Sequence, residues 1–240
     1  MIRKLFIASF CIGLLAAAAL LPGTAHAQKT IRVTDESIVK DSAGTVYPAS
    51  IWKELLNSGR YVLRVQDANA DKPEFRLVRL TEEEYKRRMD NIPKPRESDY
   101  FTTGKPVGSF TATDIKGNKY KLKDLKGKVV VMNFWFVGCE PCRREIPELN
   151  KVVQDYKDST DVVFLAVCLD DESPVEKFLE KMPFAYNIIA GGRFITSQYG
   201  INSYPTHLIL DKEGLVAFHA TGYSLGLAGW LRRSIADALK

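Results

Sequence analysis

The chain has 240 residues, of which 45% are hydrophobic, so it is long enough to bury one large core and a second small one. Its net charge is +5, and this falls to 5 − 2 = +3 once the N-terminal Arg3 and Lys4 are left out. A charge this small gives no reason to expect nucleic acid as a partner. Basic stretches such as 86–88 are typical of solvated helix faces.

The first 27 residues have the organisation of a secretory signal peptide. A charged start is followed by an apolar run over 5–21 and by the small-residue sequence Ala-His-Ala at 25–27. We expect cleavage before Gln28, which predicts an exported, periplasmic protein. The alternative is an uncleaved leader that anchors the protein in a membrane, although the apolar run is at the short end for a spanning helix.

The segment 28–90 predicts a small α+β domain of order β-α-β-β-α. Thr81 and Glu84 have the spacing of a capping box at the start of the last helix. We interpret the segment as a structural addition packed on the main domain, and a docking or sensing domain is the alternative. Its predicted elements are a strand at 31–34, a helix at 49–57 ended by Gly59, strands at 61–66 and 74–80 around a turn at 67–73, and a helix from 81 to 89.

A linker rich in proline, glycine and charge is predicted at 91–105, and a second domain at 106–240. Strands that alternate with helices, followed by a hairpin and a closing helix, predict an α/β fold with a mixed central sheet flanked by helices. The predicted elements are a hairpin at 108–113 and 119–122, a turn at 124–127, strands at 129–136, 162–169 and 184–189, helices after 139, at 173–181 and at 224–239, a helical turn at 194–199, and a hairpin at 207–210 and 215–219.

Two cysteines two residues apart lie at the junction between a buried strand and a helix. The apolar run 129–136 suits a buried strand, Gly138 interrupts it, and the motif Cys-Glu-Pro-Cys follows at 139–142. We expect Cys139 to be exposed at the helix N-terminus, where unpaired N–H groups and the helix dipole favour a thiolate. Pro141 fits the first turn because its missing N–H costs nothing there. The pair is therefore placed for reversible disulfide chemistry.

A helical wheel that begins at Cys142 separates one apolar face from one polar face. The apolar face carries a single carboxylate, Glu145, beside Cys142, and Pro147 is expected to bend the helix. We expect this face to be buried; if Glu145 lies at its edge instead, the carboxylate reaches water. The residues of the face are Cys142, Glu145, Ile146, Leu149, Val152, Val153 and Tyr156.

The cysteine count favours a redox pair over a structural one. Without the leader three cysteines remain, and only Cys139 and Cys142 are close together. A structural disulfide there would close a very small loop and stabilise little, and a zinc site would need two further ligands. Cys168 is expected to be a buried, inert thiol, and His207 and His219 to be strand residues with local partners. We predict no cofactor beyond the cysteine pair and no metal.

The sequence FW-x-x-x-C-x-P-C-x-x-E-x-P, which begins at Phe134, resembles the thioredoxin superfamily. The glutamates at 140 and 145 are most similar to those of the TlpA/ResA-type extracytoplasmic thiol–disulfide oxidoreductases. The resemblance extends over residues 106–240 and implies a thioredoxin-like fold. Gly138 departs from the family, which often has Trp beside the first cysteine. This change is expected to expose Cys139 more and to alter the docking of partners.

The resemblance implies a role for each site residue. Cys139 would attack a disulfide, and Cys142 would resolve the mixed disulfide. Pro205 resembles the family's cis-proline, which presents the backbone of the preceding Tyr204 to the substrate and keeps metal away from the thiols; a trans proline at a strand entrance is the alternative. The bulk of Tyr204 is expected to narrow partner choice. The predicted binding residues are Trp135, Glu140, Pro141, Tyr204 and Thr206.

Glu145 is predicted to be catalytic, as the group that exchanges a proton with Cys142. Burial raises the pKa of a carboxyl group in general, which prepares it for such an exchange. Many thioredoxins carry an aspartate where this chain has Asn133, so Glu145 becomes the main candidate for the proton relay. Glu140 is expected to disfavour a neighbouring thiolate, and the arginines at 143–144 are expected to act in the opposite direction.

We predict an exported enzyme that reduces disulfides of other proteins through a CxxC cycle. The resemblance to the ResA type implies apocytochrome c as a substrate, a place in cytochrome c biogenesis, and a membrane thiol reductase as the electron donor. One alternative is a thiol peroxidase of the peroxiredoxin type, which usually has Thr where this chain has Phe136. Another is a thioredoxin-like copper-delivery protein of the Sco type, which spaces its cysteines one residue wider and uses a downstream histidine; His207 is the only nearby candidate.

Overall fold

The structure is a computed structural model that describes residues 32–66 and 73–240, of which Glu36–Lys240 form one compact unit. The predicted signal peptide and most of the predicted turn at 67–73 lie outside the described residues. Within the described ranges, no helix is both long enough and apolar enough to cross a membrane.

The N-terminal part of the unit forms a three-stranded sheet with two helices. The strands β1 (Val39–Lys40), β2 (Tyr61–Val65) and β3 (Phe75–Arg79) lie in the order β1-β3-β2, with helices α1 (Ala49–Asn57) and α2 (Glu82–Asp90). The predicted order β-α-β-β-α is confirmed, as is the capping box, in which Thr81 and Glu84 each bond the other's backbone N–H.

The first predicted strand of this part is wrong. Residues 32–34 are exposed and form no strand, whereas Val39 is completely buried and pairs in parallel with Phe75. The sequence around 31–34 has the local preference for a strand, but the strand forms at Val39–Lys40, which pairs with β3 and buries Val39. Tertiary pairing therefore decided the position of the strand, and not the local preference.

The larger part of the unit is built on a mixed five-stranded sheet, as predicted. Its strands are β6 (Val129–Trp135), β7 (Val162–Cys168), β8 (Asn187–Ile189), β9 (Thr206–Leu210) and β10 (Val216–Thr221), in the order β10-β9-β6-β7-β8. β6, β7 and β8 are parallel, and β9 is antiparallel to both β6 and β10. The other elements are the hairpin β4 (Thr111–Thr113) and β5 (Lys119–Lys121), a 3₁₀ turn at Leu122–Leu125, and helices α3 (Glu140–Asp155), α4 (Glu172–Leu179), α5 (Arg193–Gln198) and α6 (Leu227–Ala238).

The sheet separates two apolar clusters, because successive side chains of a strand point to opposite faces. On one face, Val131 and Trp135 of β6 pack with α3 and α6; we call it the α3 face. On the other, Met132 and Phe134 pack with Ile195 of α5, and we call it the α5 face. Both cysteines of the pair belong to the cluster on the α3 face.

The segment predicted as a linker is bonded to the sheet edge. The backbone N–H of Gly104 donates to the Val216 carbonyl at 2.8 Å, and that of Thr221 donates to the Arg96 carbonyl at 3.0 Å. The segment therefore runs alongside β10. On α6, the indole N–H of Trp230 donates to the Ile92 carbonyl at 3.1 Å. These bonds join the N-terminal part to the larger one, and the domain boundaries at 90, 91–105 and 106 stay a prediction.

Candidate functional site

The cysteine pair lies at the N-terminus of α3 and forms a disulfide between Cys139 and Cys142, whose Cα atoms are 5.3 Å apart. Cys139 is the N-cap residue of the helix, and its Sγ accepts the backbone N–H of Cys142 at 3.2 Å. A thiolate at Cys139 would accept the same N–H more strongly, because a charged acceptor makes the stronger bond. The helix start can thus stabilise a thiolate at Cys139.

The expected exposure of Cys139 is wrong for the disulfide form. Its side chain is 3% exposed and that of Cys142 is 1% exposed. The loop before the helix folds back, since the N–H of Cys139 donates to the Phe136 carbonyl at 3.1 Å, and both Phe136 and Tyr204 pack against the cluster that holds the pair. Gly138 is exposed, and a Cβ there would meet only the Phe136 ring, at 3.7 Å. Loop packing therefore covers Cys139 without a Trp at 138.

Asp170, which follows β7, supports the loop that carries the pair. Its carboxylate accepts the N–H of Val137 at 2.7 Å and lies 3.6 Å from the thiol of Cys168. Burial is the main cause that raises the pKa of Cys168 to about 12, with the charge of Asp170 adding to it. Cys168 is fully buried, which confirms the prediction of a buried thiol.

The proline loop has a cis bond between Tyr204 and Pro205, as predicted. The Pro205 carbonyl accepts the N–H of Gly222 at 2.8 Å. The Tyr204 ring meets the Phe136 ring edge-on at 5.6 Å, and its hydroxyl donates to the Ile201 carbonyl at 3.1 Å. This ring pair joins the proline loop to the loop that precedes the disulfide.

The other predicted binding residues differ in their access to a partner. Trp135 and Thr206 are completely buried, so both support the site from within the core, and their role in binding stays a prediction. Glu140 is exposed in the first turn of α3 and forms an ion pair with Arg144, which also lies over the ring of Tyr223. Pro141 is half-buried in the same turn. The charge of Glu140 is thus partly compensated by an arginine, as expected.

Glu145 lies on the buried face of α3, as the helical wheel predicts, with 4% of its surface exposed. Its carboxylate accepts an N–H from Asn133 of β6 at 3.1 Å. It also lies 3.1 Å from Nε2 of His207 of β9, which is 1% exposed. Three buried polar side chains thus meet beneath Cys142, one from each of three neighbouring elements.

A cleft of about 720 Å³ runs along the outer side of α3. Helix α1, Arg60 and Tyr85 of the N-terminal part form one wall, and Glu145 lies on the opposite wall. The hydroxyl of Tyr223, at the end of the cleft, donates to the Asn57 carbonyl at 3.0 Å. The N-terminal part therefore encloses the side of α3 on which Glu145 borders the cleft.

The contact between His207 and Glu145 was not predicted, although the sequence held a signal for it. His207 follows Pro205 by two residues on a strand, and side chains two apart point to the same face. Because the proline was predicted to face the cysteines, the same alternation places His207 on that face. Asp170 offered no such signal, since nothing in its local sequence marks it as a partner of the Val137 N–H.

A disulfide at a helix N-terminus, a cis-proline whose preceding Tyr204 packs against the cluster that holds the pair, and a mixed sheet define a thioredoxin-like thiol–disulfide oxidoreductase. Residues 103–219 match the AhpC/TSA family. The chain is 34% identical over 141 residues to the thiol-disulfide oxidoreductase ResA of Bacillus thuringiensis, covering 57% of this chain and 81% of that protein. It is 33% identical to the thioredoxin-like protein YneN of Bacillus subtilis, over 47% of this chain and 68% of the relative.

Solved structures agree with these relatives. A Chlorobium tepidum protein, described as a thiol:disulfide interchange protein DsbE, superposes with a TM-score of 0.53 at 27% identity, over 58% of this chain and 99% of that one. The chain belongs to the ResA-type thiol–disulfide oxidoreductases of the thioredoxin superfamily, and its predicted fold class and enzyme class are confirmed.

Proposed function

We propose that this enzyme reduces disulfides in other exported proteins through a cycle of Cys139 and Cys142. The observation that carries the proposal is the pair's position at the start of α3, where the N–H of Cys142 contacts the sulfur of Cys139. The thiolate of Cys139 attacks the partner disulfide, and Cys142 then displaces the partner's second thiol. Two electrons and two protons pass to the partner, and the enzyme is left with the disulfide seen in the structure.

Glu145 is the group that we propose takes the proton of Cys142 during the second displacement. It follows Cys142 by three residues on α3, so the two side chains are neighbours on one helix face. It is also buried, which keeps water from competing for the proton, yet it borders the cleft and can return the proton to solvent. Cys142, by comparison, is 1% exposed and has no such route of its own.

The location, the substrate and the electron donor are proposed from the similarity to the ResA and DsbE relatives. We propose export to the periplasm after cleavage before Gln28, or a membrane anchor if the leader is kept. Apocytochrome c is the proposed substrate, a membrane thiol reductase the proposed donor, and the cysteine pair the proposed redox group without a further cofactor. Mass spectrometry of the processed protein tests the cleavage site, and an intact leader in the membrane fraction would contradict it.

Neither alternative gains support from a contact in the structure. A Sco-type copper protein needs a free histidine, but both ring nitrogens of His207 contact other side chains. A thiol peroxidase usually has Thr where Phe136 lies, and here that ring packs against Tyr204. Copper titration of the reduced protein separates the first alternative from the proposal, which predicts no tight binding.

The reduction potential of the pair tests the direction of the reaction. Equilibration with dithiothreitol buffers should give a value near that of thioredoxin, about −270 mV, as suits a reductant. A value near that of the oxidant DsbA, about −120 mV, would contradict the proposed direction while leaving the enzyme class unchanged.

A further inference from the structure

His207 is buried on β9, and both of its ring nitrogens contact polar atoms of the α3 face. Nε2 lies 3.1 and 3.3 Å from the two carboxylate oxygens of Glu145. Nδ1 lies 3.3 Å from Nδ2 of Asn133. A buried polar atom without a partner is costly, so the three side chains satisfy one another in this arrangement.

The positions of the protons follow from the donors. Nδ2 of Asn133 carries two hydrogens, and one of them is donated to Oε1 of Glu145 at 3.1 Å. The second points to Nδ1 of His207, which accepts it only when Nδ1 is unprotonated. The proton of a neutral His207 then lies on Nε2 and is donated to Glu145. The carboxylate thus accepts two N–H groups, one from each of two strands.

We propose that His207 is a positioning residue that holds the carboxylate of Glu145 ready to take the proton of Cys142. The inference rests on the proposed function and deepens it, because it explains how the acceptor stays fixed within the core. A carboxylate at the end of a glutamate has several rotamers. Two donors from two different strands, Asn133 of β6 and His207 of β9, restrict it to one.

In the mixed disulfide, Cys139 is bonded to a sulfur of the partner and Cys142 is a thiol. Cys142 gives its proton to Glu145, and its sulfur attacks the sulfur of Cys139. The new disulfide forms, and the partner's sulfur leaves with the electron pair as a thiolate, which takes a proton from water. Glu145 returns its proton to water in the cleft that it borders.

The other groups that face Glu145 do not compete for this proton. Burial is the main cause that raises the pKa of Tyr186, whose hydroxyl has no hydrogen-bond partner among the described residues, and the charge of Glu145 adds to it. Burial also raises the pKa of Tyr223 at the end of the cleft. Both hydroxyls therefore stay protonated near neutral pH. The charged side chains along the cleft are Lys53, Glu54, Arg60, Glu140, Arg143, Arg144 and Glu148.

The aromatic disulfide dithiobis(nitrobenzoate), which releases a coloured thiolate, tests the proposal in the full-length reduced enzyme. The first coloured thiolate reports attack by Cys139, and the second reports resolution by Cys142. In His207→Leu the second phase should slow by about tenfold, the order expected for one hydrogen bond to a charged group, and its pH dependence should change. The first phase should change by less than about twofold, because Cys139 attacks before any proton reaches Glu145.

Two further variants separate positioning from a structural role. His207→Gln keeps an N–H donor and should recover most of the second phase. His219→Gln changes the buried histidine on the neighbouring strand β10 and should leave both phases unchanged. In the Glu145→Gln background, His207→Leu should have no additional effect, since the two act through one contact. If His207→Leu does not fold, His207→Met, which is flexible and also lacks a donor, takes its place.

Three results would overturn the proposal: a second phase with unchanged pH dependence in His207→Leu, an equal slowing of both phases, or additive effects with Glu145→Gln. The proposed function fails in a different way. If Cys139→Ala still releases both coloured groups at the wild-type rates, the cysteine cycle itself is wrong. If Cys139→Ala is inactive and the His207 variants behave as the wild type, only the role of His207 is wrong.

Discussion

The two faces of the central sheet are made from alternate residues of the same strands, and they differ in their polar content. On the α5 face, Phe101 packs against the ring of His219, which accepts the N–H of Ser98 at 3.1 Å. On the α3 face, the disulfide lies over three buried polar side chains that contact one another, Asn133, Glu145 and His207.

The difference shows that two equally buried histidines can have different kinds of partner. His207 and His219 are equally buried, at 1% and 3% exposed. His219 accepts the backbone N–H of Ser98 in the segment 91–105, whereas His207 contacts the carboxylate of Glu145, one helical turn after Cys142. Buried polar groups cost free energy unless they are paired. The α3 face has a set of such groups at the place where we propose that a proton moves, whereas His219 on the α5 face is held by Ser98.

The largest effect should come from the cysteine pair, and Cys168 belongs to the same apolar cluster on the α3 face. Cys139→Ala should abolish disulfide reduction, because it removes the attacking sulfur, and Cys142→Ala should trap mixed disulfides with partners. Cys168→Ala is the control, and it should retain the wild-type rate. Turnover with a protein disulfide and non-reducing electrophoresis measure both effects. Trapped complexes in Cys139→Ala would contradict the assignment of the two cysteines.

Glu145→Gln should give the next largest effect. The variant keeps the shape of the side chain and removes its ability to take a proton, so resolution should slow on the order of tens-fold. Its pH dependence should also change, with little change in the circular dichroism of the fold. Glu148→Gln, on the same helix and paired with Lys151, is the matched control. Superimposable rate profiles for wild type and Glu145→Gln would show that no proton passes through this carboxylate.

Charges in the first turn of α3 should have a smaller effect, on Cys139 alone. Glu140→Gln removes a negative charge next to the thiolate and should speed alkylation of Cys139 by about 2- to 5-fold. Arg144→Ala removes the partner of Glu140 and should slow it by a similar factor. Both effects should shrink in high salt, because these side chains are at the surface. If either variant changes the rate of the resolution step instead, these charges act on Cys142 and not on Cys139.

The smallest effect should come from His219, and it should concern stability. Burial is the main cause that lowers the pKa of His219 below its ordinary 6.5, with the charge of Glu97 opposing it. As the pH falls, His219 is protonated in the unfolded chain before it is protonated in the folded protein. The native state therefore loses stability below pH 6.5. His219→Gln should lose less stability than the wild type between neutral and acidic pH, by about 1 kcal/mol or less. Urea midpoints measure this, and a change in turnover would instead give His219 a part in the reaction.

Much of the fold was predictable because local and global signals agree. The run 129–136 is apolar on both faces, and it becomes the central strand β6, covered on both sides. The wheel that begins at Cys142 placed Glu145 on the buried face of α3, where the structure has it. The helix at Ala49–Asn57 has the predicted bounds. These elements depend on periodicity, which a single sequence contains.

The features that escaped prediction depend on contacts between distant segments. The burial of Cys139 depends on a loop that folds back at Phe136 and on a ring of the proline loop, 65 residues away in sequence at Tyr204 (204 − 139 = 65). The strand at Val39 forms because Phe75 is its partner, and a two-residue strand has almost no local signal. Contacts of this kind need the register of the whole sheet, which composition and spacing do not contain.

Alkylation of the fully reduced enzyme at neutral pH, followed by mass spectrometry of each cysteine, tests most directly the claim that the chemistry belongs to the start of α3. Cys139 should react first, because the helix N-terminus favours its thiolate, and Cys142 should follow slowly. Cys168, with a pKa of about 12 and no exposed surface, should remain unmodified in the folded protein. Equal rates at all three cysteines, or a faster reaction at Cys142, would contradict the account.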